Sequence, residues 1–153
     1  MNKRYLTILV FAVFTCGIVA CGGEKKPSET QVVKVEKKVS SSDALLKKGE
    51  TVYKSYCMAC HMSKGQGVPN LNPPLTRTKY TLGDKKVMIK IVLNGLNEEI
   101  EVLGEKYNSV MTPFNFLSDE EIAGVITFVR QNFGNDADAA SIEEVAEVRS
   151  SMK

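Results

Sequence analysis

The chain has 153 residues, 25% of them charged, with a formal net charge of +2 at pH 7. That length accommodates one domain and some extra. Its 20 basic and 18 acidic residues nearly balance, and the absence of a basic cluster interleaved with aromatics gives no sign of a nucleic-acid partner. Four cysteines and a single histidine restrict any metal chemistry to a short set of ligands.

In chain order, the first segment is MNKRYLTILVFAVFTCGIVA, with Lys3 and Arg4 followed by an apolar run from Leu6 to Ala20. That is the layout of a secretory signal. A transmembrane anchor is the alternative, although the run is shorter than the roughly 20 apolar residues a spanning helix needs. Its end, IVAC followed by two glycines, resembles a bacterial lipoprotein signal, in which Cys21 is lipidated and becomes the mature N-terminus. Cys16, preceded by Phe14 and Thr15, fits that pattern poorly and leaves with the signal; simple secretion is the competing expectation.

Residues 21–42 follow as a lysine- and glutamate-rich stretch without an aromatic residue. Too little apolar surface is available there to offset the entropy of ordering it, so a disordered tether is expected. About 20 such residues span roughly 25 Å on average and reach about 70 Å at most. The remainder, 43–153, carries thirteen bases and fifteen acids and forms the expected domain.

Ser42 or Asp43 can cap a first helix whose stripe is Leu45, Leu46, Gly49, Val52, Tyr53 and Tyr56. It runs directly into YCMACH. From Ser63 to Thr81, glycines and prolines break periodicity and predict an ordered loop. Asp84 opens a second helix, DKKVMIKIVLN, that Gly95 can end in a left-handed conformation. EEIEVLGEKYN alternates around a glycine and suggests a short hairpin. SDEEIAGVITFVRQNFG is the best-marked helix, with a capping box of Ser118 and Glu121, the stripe Ile122, Val125, Ile126, Val129, Phe133, and closure at Gly134. Ser141 and Glu144 repeat the capping-box spacing and predict a final helix. The class is therefore all-α, three to four helices with long loops. A core of this size benefits from something large and apolar inside it.

The chemistry lies in Cys57-Met58-Ala59-Cys60-His61. Structural zinc commonly takes four Cys/His ligands in two pairs, and a second pair is missing. A thiol–disulfide switch normally follows a strand in a βαβ unit and leaves His61 without a role. C-x-x-C-H is the pattern of covalent c-type haem attachment. Cysteines one helical turn apart reach two carbons along one haem edge, and the adjacent histidine projects under the iron. With one histidine in the chain, bis-histidine ligation is excluded, and methionine is the usual alternative. Met58 and Met62 flank His61 and cannot reach the opposite face, and Met88 sits on the apolar side of a helix. Met111, in YNSVMTPF and followed by Pro113, is the expected distal ligand.

From Asp43 to Phe133 the chain resembles a class I cytochrome c, carried by LLKKGETVYKSYCMACH, GQGVPNLNPPL, YNSVMTPF and LSDEEIAGVITFVRQNFGN. The tail SIEEVAEVR is similar to cytochrome domains that accompany bacterial quinoprotein dehydrogenases. The resemblance implies thioethers at Cys57 and Cys60, a proximal bond from His61 and a distal bond from Met111. It also implies that the carbonyl of Pro74, or of its neighbour Pro73, accepts the ring N–H of His61. Gly49 would let the first helix cross the last near Phe128. Arg77, Tyr80, Tyr107 and Asn108 are candidates to bond haem propionates or steady the methionine loop. Thr112 stands where the family commonly has proline directly after the methionine.

The implied function is a membrane-tethered, monohaem one-electron carrier between extracytoplasmic redox proteins, not an enzyme, anchored by lipid on the periplasmic side of the inner or outer membrane. Its competitors are an enzyme with an open distal site, such as a peroxidase or gas-binding haem, and a fixed cytochrome subunit of a larger oxidoreductase.

Overall fold

The computed structural model describes residues 41–152. The expected signal (1–20), Cys21 and most of the expected tether lie outside them. Ser41 and Ser42, assigned to the tether, are already helical. No described helix is long and apolar enough to cross a membrane.

Helix α1, Ser41–Val52, continues without a break through a π-helical turn, Tyr53–Cys57, into α2, Met58–His61. Isolated π turns interrupt the α register and are common at functional sites. This one ends the expected apolar stripe: Val52 and Tyr53 are buried, but Tyr56 is 43% exposed. Met62 stops the run at φ 64°, ψ 165°, a conformation unfavourable for a side chain with a Cβ. The turn is held by the Tyr53 hydroxyl donating to the Met62 carbonyl at 2.7 Å.

The segment expected as loop from Ser63 to Thr81 contains one helical turn, α3, Lys79–Leu82, capped reciprocally by Thr78 and Thr81. Four residues are too few to show a helical period, and Thr-x-x-Thr lacks the Glu or Gln of the usual box. Helix α4, Lys85–Asn94, starts where Asp84 accepts from Lys86 N. It ends at Gly95, whose φ of 73° is positive as expected, but whose ψ of −171° is extended rather than left-handed helical. The hairpin is present as β1, Ile100–Val102, paired antiparallel with β2, Glu105–Tyr107. Helix α5, Asp119–Gln131, and helix α6, Ile142–Ser151, both begin with the anticipated capping boxes.

The described residues thus form four helices of ten residues or more, two single α-helical turns, one π-helical turn and one small hairpin, the mostly helical architecture expected. Helices α1 and α5 cross at a pair of glycines. A Cβ on Gly49 would collide with the Gly124 carbonyl and come within 3.0 Å of Phe128 Cβ. A Cβ on Gly124 would meet Gly49 N and Leu45 O at 3.0 Å. The core lies between these helices, α4 and α6, and includes Ile89, Leu93, Ile122, Ile126 and Val145, none with exposed surface.

Candidate functional site

The cysteine motif ends the first helical run and forms one wall of a cavity of about 240 Å3. Facing walls come from α4 (Met88, Val92), the hairpin (Ile100, Val102, Tyr107), the segment after it (Met111, Phe114, Leu117) and α5 (Val125, Ile126, Val129). Among the described residues, no Asp, Glu, Lys or Arg lines it. Protein interiors leave few voids larger than a water molecule. A space of this size with apolar walls is therefore a binding site for something apolar.

His61 is oriented by the loop that follows it. Its Nδ1 lies 3.0 Å from the carbonyl oxygen of Pro73. A carbonyl can only accept, so Nδ1 carries the proton, and the neutral ring keeps a free lone pair on Nε2. Burial lowers the His61 pKa, with the Pro73 hydrogen bond opposing it. The imidazole is thus held in the neutral form that a metal ligand requires. The acceptor corrects the expectation of Pro74, which lines the cavity but does not make this bond. A turn closed by the Val68–Asn72 bridge brings the Pro73 carbonyl round. Gly67 permits it: its φ is +65°, and a Cβ would collide with Asn72 O and come within 2.7 Å of Pro73 O. Gly67 N in turn donates to His61 O at 3.1 Å.

Cys57 is half-buried and Cys60 exposed, both free. Burial, reinforced by the neighbouring Cys60, pushes the Cys57 thiol up to about 11. Thiol switches rely on the opposite shift, towards a thiolate near neutral pH. The environment therefore weakens the disulfide-switch alternative.

Met111 lines the same cavity from a segment fixed at both sides. Its N–H donates to Leu96 O at 2.8 Å, and Leu96 N donates to Met111 O at 2.9 Å. Phe114 N donates to Val92 O at 2.9 Å. Gly95 makes this approach possible, since a Cβ there would collide with Met111 O and lie 2.9 Å from Pro113 N. Met88 lines the cavity too, but is packed into the core at 8% exposure. Neither Met58 nor Met62 lines it.

The four polar candidates divide. Tyr80 and Tyr107 line the cavity; Arg77 and Asn108 do not. The guanidinium of Arg77 instead donates through Nε to Gly134 O at 3.0 Å. Sequence reasoning missed Asn135, whose side chain donates to Leu75 O at 2.8 Å and Val129 O at 2.7 Å and accepts from Arg77 N at 2.6 Å. It ties the end of α5 to the loop behind the site, and only a contact some sixty residues distant reveals it.

Residues 46–133 match the cytochrome c family. Cytochrome c-552 of Thermus thermophilus is 38% identical over 91 residues, covering 57% of this chain and 69% of that protein. The cytochrome c subunit of alcohol dehydrogenase (quinone) of Gluconobacter oxydans is 32% identical over 91 residues, 58% of this chain and 19% of the subunit. The cytochrome subunit of fructose dehydrogenase of Gluconobacter japonicus is 30% identical over 112 residues, 69% of this chain and 22% of the subunit. The chain thus spans about a fifth of those two subunits.

An apolar cavity bearing two cysteines and a neutral, oriented histidine on one wall, within a fold of this kind, places the chain in the cytochrome c family. It is an electron-transfer protein whose cofactor is covalent haem c. Cys57 and Cys60 are positioned in a C-x-x-C-H site.

Proposed function

We propose that this chain is a membrane-tethered, one-electron carrier in which His61 and Met111 would be the two protein ligands of a single haem iron. The observation that carries the ligation is that Met111, fifty residues away in sequence, lines the same cavity as His61 and both cysteines. Haem c supplies a one-electron iron couple. His61 offers Nε2 as the proximal donor, fixed in orientation by Pro73 O. Cys57 and Cys60 would hold the group covalently, and Met111 would offer a thioether sulfur as the second protein ligand in place of a substrate. The uncharged walls disfavour the more highly charged oxidised site, and thioether ligation acts in the same direction, raising the potential.

Met111→Ala is expected to abolish the red sulfur-to-iron absorption band and lower the reduction potential by on the order of 0.1 V, with haem still attached. Met88→Leu keeps the band. A band that persists in Met111→Ala, or vanishes in Met88→Leu, assigns the ligand to Met88 or elsewhere. High-spin ferric iron in the wild type would favour the open-site enzyme instead.

The lipoprotein-like IVAC supports anchoring through Cys21, with residues 22–40 as leash, on the periplasmic side of a bacterial membrane. Cys21→Ser is expected to move the protein from the membrane to the soluble fraction; retention there would point to an uncleaved anchor. The two dehydrogenase cytochrome subunits among the relatives favour a second reading, a subunit of a larger oxidoreductase. Mild detergent extraction separates the two: a stoichiometric dehydrogenase or oxidase that co-purifies makes this a subunit, and a lone cytochrome makes it a shuttle.

A further inference from the structure

One side chain of the last helix grips the segment that follows Met111. Arg149, in α6, donates from Nε to Asp119 Oδ1, from one terminal nitrogen to Asn115 O and from the other to Leu117 O, each at 2.7 Å. An ordinary surface ion pair contributes about 0–1 kcal/mol and fixes little. Arg149 differs because two of its three acceptors are main-chain carbonyls in an irregular segment. A planar guanidinium spanning three oxygens fixes their relative positions, which a point charge cannot do.

The strap from Met111 to Asp119 is therefore held at both ends. At its start, Met111 and Phe114 bond to Leu96 O and Val92 O, around the end of α4. At its close, Asn115, Leu117 and Asp119 bond to Arg149 of α6. The two supports are themselves joined, through Lys85–Glu144 at 2.7 Å and Lys86–Glu147 at 2.9 Å. Between the anchors, Phe114 and Leu117 face the cavity with Thr112, and Phe114 and Phe116 pack edge-on to Tyr56 at 6.1 and 5.6 Å, while Thr112, Pro113, Asn115 and Phe116 stay exposed. A segment with so few buried contacts opens locally unless tied down. Helix α6 lies beyond residues 46–133, the part that matches the family.

We propose that Arg149 is a positioning residue for the distal ligand: it holds the 111–119 strap closed over the cavity and sets how often the Met111 sulfur leaves the iron. This rests on Met111 ligation as proposed above. Exogenous imidazole binds ferric iron only when the distal position is vacated. Its apparent affinity is therefore the intrinsic affinity reduced by the open fraction of the strap.

The experiment titrates imidazole into the ferric holoprotein and follows the red sulfur-to-iron band. Arg149→Ala is expected to tighten apparent imidazole binding about tenfold. Arg149→Lys, which keeps the charge and loses the fork, should give most of that effect; it also serves if the alanine variant fails to fold. Leu45→Ala, a destabilising change at the α1–α5 packing outside the cavity wall, should leave imidazole affinity within about twofold of wild type. Unchanged affinity in Arg149→Lys and Arg149→Ala, with the band present in wild type, overturns the role of Arg149 alone. An equal tightening in Leu45→Ala makes the effect one of global stability and also overturns it. A wild type without the band overturns Met111 ligation, and this proposal with it.

Discussion

Tyr53 shows how much one buried polar group contributes near the haem-binding motif. Its ring packs against Phe128 and Phe133 at centroid distances of 5.4 and 5.0 Å, and its hydroxyl holds the strained turn at Met62. Burial pushes the Tyr53 phenol up to about 12 from 10.0. The neutral form is thus favoured in the folded chain, so stability from this group is complete below pH 10 and is lost as pH rises from about 10 towards 12. Tyr53→Phe is expected to cost about 1 kcal/mol at neutral pH and to flatten the fall in stability over that alkaline window. Denaturant titrations at pH 7 and pH 11 on the holoprotein check both. Gly67 illustrates the same scale without a side chain, since the Pro73–His61 hydrogen bond depends on backbone that only a residue without Cβ can supply.

At the scale of elements, the α1–α5 crossing determines the shape of the cavity, because both helices contribute wall residues to it. Gly49→Ala would drive a methyl group into the Gly124 carbonyl. The expected loss is on the order of 2 kcal/mol, even after the roughly 1 kcal/mol that Ala gains over Gly inside a helix. That corresponds to a fall of roughly 10 °C in Tm, measurable by thermal melting followed by circular dichroism. The helices themselves were readable from their caps: Asp84, Ser118 with Glu121, and Ser141 with Glu144 all occupy the anticipated positions. The π turn was not, because its departure from an α register leaves the residue types unchanged. Nor was α3, whose Thr78–Thr81 pair is too short a signal to separate from a loop.

For the whole molecule, the cavity decides stability. Left unfilled, about 240 Å3 in a cavity that is partly open corresponds to at most about 5 kcal/mol by the cost of sealed cavities in packed cores. That is comparable with the entire folding free energy of an ordinary domain. A Cys57→Ala, Cys60→Ala double variant, which cannot attach haem covalently, is expected to lose most of its cooperative thermal transition and part of its helicity. Circular dichroism of the haem-free protein against the holoprotein tests this; an apo chain as stable as the holo chain would mean that the walls collapse to fill the space.

The sequence by itself determined the local features of this protein. Capping pairs, helix stripes and the C-x-x-C-H spacing act between residues a few positions apart, so their physics is complete within a short window. Elimination among the methionines also left Met111 as the expected distal ligand, although Met88 proves to share the cavity wall. What the tertiary structure decided are matters of distance between remote residues. It chose Pro73 over Pro74, because the turn at Val68–Asn72 sets which carbonyl faces His61. It took Arg77 away from the cavity to Gly134, set Gly124 opposite Gly49, and joined Arg149 to the strap after Met111. Those pairings depend on how rigid elements pack, and neighbouring residues carry no record of it.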